Sequence, residues 1–352
     1  MSDMLITMCV IAYNEEQNIN GILECIKNQD YDHNNMEVVL VDGASTDNTR
    51  ALMCEFAFRR VVVLDNPKKT LPSGWNVALR EYKGDAIIKV DAHAVIPEDF
   101  VSKNVRVLET GEYICGGQRP NIIDKPTPFK ETLLLAESSM FGSSIASYRN
   151  NPGKTYVKSL FHAAYRREVF EKVGFFGGEL VRTEDNGIHY RVRIDGCKLC
   201  FDPDIISYQY TRSSLKAMLK QKYANGYWIG KTSKVCPKCL SIYHFVPFAF
   251  VSAIIASGSV IGATGLAECI KKRHNHTLGK GISALRKVTV VLTTVMWVLY
   301  ALMASGMAAV SAFKAEDKRN ITNACLPVLF LLLHLSYGIG TIAGLMDKSK
   351  RG

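Results

Sequence analysis

The chain has 352 residues, of which 47% are hydrophobic, and a formal net charge of +10 at pH 7. Its length exceeds the needs of one small domain, so we expect a sizeable domain and a further segment. Much of the positive charge lies beside apolar segments, which favours an anionic membrane surface as partner and argues against nucleic acid. The 10 cysteines are scattered, which is typical of a reducing compartment.

The N-terminal part of the chain alternates apolar runs with helical patterns. The predicted strands are "LITMCVIAY", "MEVVLVD", "RRVVVLDN" and "DAIIKVDA". Asn14 is predicted to cap the first helix in a capping box with Gln17, Ser45 or Thr46 to cap the second, and "SGWNVALREY" to form the third. Near-continuous apolar strands separated by helices predict an α/β fold with a mainly parallel sheet and helices on both faces.

Polar side chains follow three of the predicted strands, where ligands bind in open parallel sheets. They are Tyr13, Asn14 and Glu15 after the first strand, Asp42 after the second, and Asp91 with His93 after the fourth. Asp91 and His93 are two positions apart, so a strand would direct both side chains to one face. The sequence contains neither G-x-G-x-x-G after the first strand nor a G-x-x-x-x-G-K-[ST] loop. A metal held near Asp91 would instead offset phosphate charge.

The composition changes near Lys238. Residues 242–267, 288–313 and 324–346 are apolar, and each segment exceeds the ~20 residues that span a bilayer. We therefore expect an α/β domain at 1–211, an interfacial amphipathic segment at 212–240, and a membrane domain at 241–352 with two or three transmembrane helices. In the middle segment, a stripe of Leu215, Met218, Leu219 and Tyr223 among lysines predicts a helix on membrane lipids. An ordinary solvated basic helix is the alternative.

Two arrangements of the apolar segments stay open. If all three span, the loop after the first lies outside, contrary to the positive-inside rule. Its positive residues are Lys271, Lys272, Arg273, Lys280, Arg286 and Lys287. If 242–267 is instead re-entrant, as Pro247 and its Ser and Gly content favour, that loop is cytoplasmic and 314–323 lies outside. Residues 1–7 lack the basic region of a secretory signal. In both arrangements we expect a multi-pass protein of the plasma membrane with residues 1–211 in the cytoplasm.

Five motifs, in this order, resemble those of family 2 inverting glycosyltransferases: "VIAYNEE", "VDGASTDNT", "SGWNVAL", "VDAHA" and "TEDNGIHYRV". "FHAAYRREVFEKVG", "YANGYW" and "HLSYGIG" are similar to the succinoglycan-type membrane glucosyltransferase subgroup. The resemblance runs over most of the chain. It implies a GT-A fold for residues 1–211 and sugar transfer from a nucleotide-sugar, with a UDP-sugar expected first. The implied acceptor is a lipid-linked saccharide or polysaccharide precursor in surface polysaccharide synthesis.

The resemblance also assigns site residues. The implied nucleotide-binding residues are Tyr13, Glu15, Asp42, Trp75, Asn76 and Asp91. Asp42 would accept a hydrogen bond from the base, but Gly43 stands where the family often has a second acid, which weakens an expectation of uracil. Glu15 also suits the start of a helix and its dipole.

Asp91 and His93 occupy the family's D-x-D positions, so His93 replaces the last aspartate. Magnesium prefers oxygen ligands, whereas manganese accepts imidazole more readily. The expected cofactor is therefore a divalent cation, Mn²⁺ or Mg²⁺. Either His93 and Asp91 both ligate it, or the diphosphate, water and Asp91 hold it without His93.

The resemblance makes Asp185 the general base that deprotonates the acceptor hydroxyl, with Glu184 in support. The alternative is that both are acids favoured in the first turn of a helix. Two other functional classes stay open on the same fold. One is a metal-dependent nucleotidyltransferase, and the other is a non-catalytic membrane protein, for which the substitution at His93 is the main support.

Overall fold

The computed structural model describes residues 3–142, 153–273, 279–315 and 320–348. Strands and helices alternate at the start, as predicted. The elements are β1 (Ile6–Ala12), α1 (Ile19–Lys27), β2 (Met36–Asp42), α2 (Thr49–Glu55), β3 (Val61–Asp65), α3 (Leu71–Glu81) and β4 (Ala86–Asp91). The four predicted strands and the helix at "SGWNVALREY" are therefore confirmed.

The second half of the α/β domain contains shorter strands. Its elements are β5 (Ala94–Val95), α4 (Phe100–Glu109), β6 (Ile114–Gln118), β7 (Asn121–Ile122), α5 (Pro128–Ser138), β8 (Thr155–Val157), β9 (Ala164–Arg166), α6 (Arg167–Val173), α7 (Glu184–Ile194), β10 (Leu199–Ile206) and β11 (Tyr208–Tyr210). β5, β11 and β7 form a small separate sheet.

The main sheet has the strand order β3-β2-β1-β4-β9-β6-β10-β8. Neighbours from β3 to β4, and the pair β6 and β10, run parallel, whereas β9 and β8 run antiparallel to their neighbours. The register places Ala12 opposite Asp42 and Ile11 opposite Asp91. The polar residues that follow these strands therefore meet at one edge of the sheet, as predicted.

Buried side chains cover both faces of this sheet because successive residues of a strand point to opposite sides. Met8 and Val10 pack on one face with Ile22 of α1 and Phe100 of α4. The other face holds side chains of β1, α3, α6 and α7, including Cys9, Trp75, Phe170 and Ile188. This two-sided core confirms the mainly parallel α/β architecture.

The predicted helix caps were wrong. α1 begins at Ile19 after Asn18, and α2 begins at Thr49 after Asn48. Asn14 instead has a left-handed backbone, with φ 54°. It donates its backbone N–H to Ser45 Oγ at 3.0 Å and accepts the N–H of Thr46 on Oδ1 at 2.8 Å. Side chains suited to capping also bond to nearby loops, and here they tie the loops after β1 and β2 together.

Four long helices follow: α8 (Leu215–Val235), α9 (Val246–Arg273), α10 (Lys280–Phe313) and α11 (Leu326–Met346). Ile242–Arg273, Lys280–Phe313 and Ile321–Met346 are long and apolar enough to cross a membrane. α9 is one continuous helix, with Pro247 in its first turn, where proline is tolerated. Its surface is exposed along most of its length, as is that of α10, whereas much of α11 is buried.

α8 lies against α11 instead of standing free. Met218 is buried with Leu329 and Leu333, and Leu215 and Leu219 pack beside them. Part of the stripe that we predicted to contact lipid therefore packs against protein, while Tyr223 is 41% exposed. The division at 211 and 240 stays a prediction.

Candidate active site

The predicted nucleotide residues of the first two strands lie in the joined loops. Asp42 ends β2 almost fully buried, and its carboxylate accepts the backbone N–H of Ser45 at 3.2 Å. Tyr13 is exposed, and the ammonium of Lys69 lies 5.8 Å from the centre of its ring. An exposed aromatic ring beside a buried carboxylate suits the binding of a nucleobase and its polar edge.

Trp75 and Asn76 lie on α3 but face inward. Trp75 is 2% exposed, and its Nε1 has no hydrogen-bond partner among the described residues. The amide of Asn76 both donates to Phe176 O and accepts from Phe176 N, each at 2.8 Å. Asn76 thus holds the chain that leads to α7. Its contact with a nucleotide, like that of Trp75, stays a prediction.

Asp91 ends β4 beside a histidine to which the sequence analysis gave no role. His162 Nε2 lies 3.5 Å from Asp91 Oδ2 and 3.3 Å from Asp91 N, and His162 Nδ1 lies 2.8 Å from Ser207 Oγ. Burial raises the pKa of Asp91, but His162, His93 and Lys89 outweigh it and hold that pKa well below its usual range. Asp91 is therefore an anion at neutral pH.

His93 lies between two polar side chains. Its Nδ1 is 3.2 Å from Glu15 Oε1, and its Nε2 is 3.4 Å from Gln209 Nε2. The hydrogen bond with Glu15 is the main reason that the pKa of His93 is raised. Within the described ranges, no group of three or more His, Cys, Asp or Glu side chains is arranged to hold a metal ion.

This donor set fits a cation that is shared with a diphosphate. Magnesium in such sites is held by one or two carboxylates, waters and substrate phosphates, without a complete protein cage. Asp91 supplies an ionised carboxylate that is partly exposed, with a side chain 19% accessible. His93 is 28% accessible, and among the described residues its Nε2 has just the long contact with Gln209. Both residues can therefore take part.

The two acids of "TEDN" occupy the first turn of α7, at the sheet edge. Lys89 Nζ lies 2.5 Å from Asp185 Oδ1 and 3.3 Å from Glu184 Oε1. Glu184 is almost fully buried, whereas the side chain of Asp185 is 19% accessible. Burial raises the pKa of Glu184 to about 7, against the opposing charge of Lys89. Sequence reasoning missed Lys89, although its position two residues before Asp91 was a usable signal.

The site thus combines two acidic centres on one sheet edge. Asp91 is an anion suited to the cation of a diphosphate, and Asp185 is an accessible carboxylate on the first turn of a neighbouring helix. Asp42 and Tyr13 lie at the ends of β2 and β1, where a nucleobase is expected. Fold and site together are those of an enzyme that handles a nucleotide-linked group.

Comparisons with known proteins narrow this class of enzyme. Residues 7–174 match Glycosyl transferase family 2, so the chain carries a domain of that family. The solved structure of mannosyltransferase PcManGT from Pyrobaculum calidifontis, in complex with GDP-Man and Mn²⁺, superposes with a TM-score of 0.57 at 17% identity. The superposition covers 98% of this chain and 88% of that one, and it supports the GT-A fold.

Two curated relatives extend beyond the family domain. A dolichyl N-acetyl-alpha-D-glucosaminyl phosphate 3-beta-D-2,3-diacetamido-2,3-dideoxy-beta-D-glucuronosyltransferase of Methanococcus voltae is 25% identical over 262 residues, which is 71% of this chain and 80% of that protein. Succinoglycan biosynthesis protein ExoA of Rhizobium meliloti (strain 1021) is 26% identical over 232 residues, 64% of this chain and 68% of that protein. The expected GT-A fold, glycosyltransferase class and resemblance to succinoglycan enzymes are confirmed.

Proposed function

We propose that this glycosyltransferase moves a sugar from a nucleotide-diphosphate donor to a lipid-linked saccharide, with inversion at the anomeric carbon. The observation that carries the proposal is the pair of ionisable centres at one sheet edge: Asp91 for the donor and Asp185 for the acceptor. The lipid-linked acceptor is supported by the candidate membrane helices and by the dolichyl phosphate in the name of the Methanococcus voltae relative.

The donor binds across β1 and β2 in this proposal. Asp42 and Tyr13 bind the nucleobase, and Glu15 lies close to the ribose and to His93. A UDP-sugar is the donor that we propose first. A GDP-sugar is the alternative, because Gly43 removes one acid expected for uracil and GDP-Man is the ligand of the superposed mannosyltransferase.

Asp91, with His93, would hold the divalent cation against the diphosphate. When bound, the cation stabilises the negative charge that develops on the leaving nucleoside diphosphate. Mn²⁺ in the superposed mannosyltransferase supports this part of the proposal. His162, His93 and Lys89 keep Asp91 ionised.

Asp185 acts on the other side of the anomeric carbon. Its Oδ1 is bonded to Lys89, and no partner of its Oδ2 exists among the described residues. Oδ2 is therefore the atom that would take the proton of the acceptor hydroxyl as the new glycosidic bond forms. A direct displacement with one base and one leaving group inverts the configuration, so no covalent sugar–enzyme intermediate is required.

Asp185→Asn tests this assignment. The asparagine keeps the size of the side chain but is a far weaker base, and loss of a general base costs typically about 10²–10⁴-fold in rate. We expect transfer to fall by that factor while binding of the nucleotide-sugar, measured by calorimetry in detergent, stays unchanged. Asp195→Asn, at the other end of α7, is the matched control because Asp195 is exposed and away from Lys89.

The products decide between the functional classes. Release of a nucleoside diphosphate together with a glycosylated lipid supports the transferase. Pyrophosphate release would support the nucleotidyltransferase. Normal transfer by Asp185→Asn would show that another group is the base, and the absence of any turnover with nucleotide-sugars and lipid acceptors would refute the proposed function.

For the membrane, we propose that α9 and α10 cross it as a hairpin and that both ends of α11 stay on the side of the α/β domain. Asn320 Nδ2 donates to Pro128 O at 2.7 Å, and Thr132 Oγ1 donates to Asn323 Oδ1 at 2.8 Å. These bonds attach the start of α11 to α5, which belongs to the α/β domain. In this proposal they keep residues 320–323 on the side of the α/β domain.

The far end of α11 is also attached to that domain. Lys231 Nζ of α8 lies 3.3 Å from Asp347 Oδ2, and the next residue, Thr232, is hydrogen-bonded to Thr183 at 2.5 Å. The arrangement leaves Arg273 and Lys280 on the far side, contrary to the positive-inside rule. Direct hydrogen bonds at both ends of α11 outweigh that statistical preference. The α/β domain is cytoplasmic in this proposal, and the membrane is the plasma membrane.

Labelling of single cysteines separates the arrangements. In a background without the native cysteines, Gly279→Cys should react with an impermeant maleimide added to intact cells, whereas Lys348→Cys should react only after lysis. Labelling of both from outside would support three full spans. Protection of both would support a re-entrant first segment.

A further inference from the structure

Lys89 is a buried cation at the centre of the candidate site. It lies in β4, is 6% exposed, and contacts carboxylates of both Glu184 and Asp185. On its remaining side the ammonium lies 5.1 Å from the centre of the Trp75 ring. An ammonium has three N–H donors, and a ring face within ~6 Å attracts a cation. The position of Lys89 is therefore fixed from three directions.

Each acid uses one oxygen for Lys89 and leaves the other without a partner. Glu184 Oε2 is buried with no hydrogen bond among the described residues, and the same part of the chain offers no partner to Asp185 Oδ2. The difference is access, because the side chain of Glu184 is 4% accessible and that of Asp185 is 19% accessible. Only Asp185 can reach an acceptor.

β4 connects the two halves of the site. Lys89 and Asp91 are two positions apart on one strand, so their side chains point to the same face, about 7 Å apart along the strand. A hydrogen bond from Lys89 thereby sets the position of Asp185 relative to Asp91. The distance between base and donor is then determined by a strand and not by the loop before α7.

We infer that Lys89 is a positioning residue, which orients Asp185 so that Oδ2 faces the acceptor hydroxyl. This inference rests on the proposed role of Asp185 as the general base. Lys89 touches neither donor nor acceptor and acts through Asp185. Glu184 completes the arrangement as the second carboxylate that keeps the buried ammonium in place.

The titratable groups that interact with Lys89 in the described part of the chain lie on several elements. They are Glu184, Asp185 and His189 of α7, Asp91 of β4, Tyr165 of β9, Cys9 of β1, and His162 just before β9. His189 and Tyr165 are neutral near pH 7, because burial lowers the pKa of His189 to about 4 and raises that of Tyr165. The carboxylate pair of α7 is therefore what loses its counter-charge when Lys89 is removed.

The test is Lys89→Met, which keeps the length of the side chain and removes its charge. We expect transfer to slow by about 10²-fold, which is the cost of a base misplaced by ~1 Å. The acid limb of the pH–rate profile, which reports the carboxylate pair, should move to higher pH because a neighbouring cation favours the ionised pair. Lys89→Arg should recover part of the rate and return the acid limb towards that of the wild type.

Lys222→Met is a matched control. Lys222 is a buried lysine paired with the buried carboxylate of Glu137 at 2.9 Å, on α8 and α5. Its loss removes the same kind of buried ion pair away from the site. We expect it to lower thermal stability as much as Lys89→Met does, without moving the pH–rate profile.

If the wild-type enzyme transfers sugar, two results would overturn the inference. One is a Lys89→Met variant that transfers as fast as Lys222→Met. The other is a slower variant with the wild-type pH profile, which would indicate a merely structural role. If Lys89→Met does not fold, Lys89→Met with Glu184→Gln is compared with Glu184→Gln alone, and an identical acid limb in the two refutes the inference. A wild type without transfer would refute the proposed function itself.

Discussion

Gly226→Ala should separate α8 from α11. A Cβ at this position would lie 2.0 Å from Tyr337 O, whereas ordinary contacts begin at 3.4 Å, so the helices would have to move apart by about 1.4 Å. The glycines of α11 lie equally close to α8. A Cβ on Gly340 would lie 2.1 Å from the backbone of α8, and a Cβ on Gly344 would lie 2.0 Å from it. Such pairs of small residues one turn apart let helix backbones pack closely.

The cost follows from two opposing contributions. Overpacking of this kind costs about 1–3 kcal/mol, and alanine regains up to about 1 kcal/mol of helix propensity. A net loss of about 1–2 kcal/mol corresponds to a fall in Tm of roughly 1–3 °C in a chain of this size. Differential scanning fluorimetry of the detergent-solubilised protein measures it.

Gly258→Ala on α9 is the matched control, because no atom lies within 4 Å of its added Cβ. That variant should be neutral or slightly more stable. If Gly226→Ala is as stable as Gly258→Ala, α8 and α11 do not approach each other as closely as the structure shows.

Two further predictions concern histidines. His93→Asp should retain transfer and shift the metal preference from Mn²⁺ towards Mg²⁺, because it replaces an imidazole by an oxygen ligand. Full activity of the wild-type enzyme in excess chelator would contradict any role of a metal. Burial lowers the pKa of His189 to about 4, below the 6.5 of an exposed histidine, so the unfolded chain binds the proton first as the pH falls. Stability should therefore be complete above about pH 6.5 and decrease towards pH 4, by at most about 3 kcal/mol, and His189→Gln should flatten the pH dependence of Tm over that range. An equally steep dependence in His189→Gln would assign the acid sensitivity to other groups.

The strands of this fold were predictable because their signal is local. Apolar runs such as "MEVVLVD" are too continuous for any element but a strand buried on both faces. The helix starts were not predictable, because Asn14, Ser45 and Thr46 have side chains that suit a cap or a cross-loop hydrogen bond equally well. Contacts between residues about 30 positions apart favour the cross-loop hydrogen bond over the helix cap. The spacing of residues along the sequence does not reveal such contacts.

The candidate site divides in the same way. Asp42 and Asp91 could be chosen because acids at strand ends are a local feature, whereas Asp185 was chosen through the resemblance to family 2 glycosyltransferases. His162 could not be chosen, because its importance depends on Asp91, far along the chain. Lys89 was missed although its position two residues before Asp91 was a usable signal, because its partner Asp185 is also far along the chain. Asn76 has a partner that its motif did not predict, since its amide is hydrogen-bonded to Phe176, and its contact with a nucleotide stays a prediction.

The stretch "KVDAHAVI" has a physical explanation in this arrangement. Lys89 and Asp91 lie at the end of β4, and His93 lies in the turn that follows, so it does not share the strand face that the spacing predicted. Each of the three faces a different partner: Asp185, His162 and Glu15. An aspartate in place of His93 would add a carboxylate beside Glu15 and Asp91, and like charges this close disfavour one another's ionised forms. The imidazole avoids that repulsion before the donor and its cation arrive. The histidine at position 93, in place of the last aspartate of D-x-D, is therefore explained by the neighbouring Glu15. Any redesign of the cation site should exchange His93 and Glu15 together.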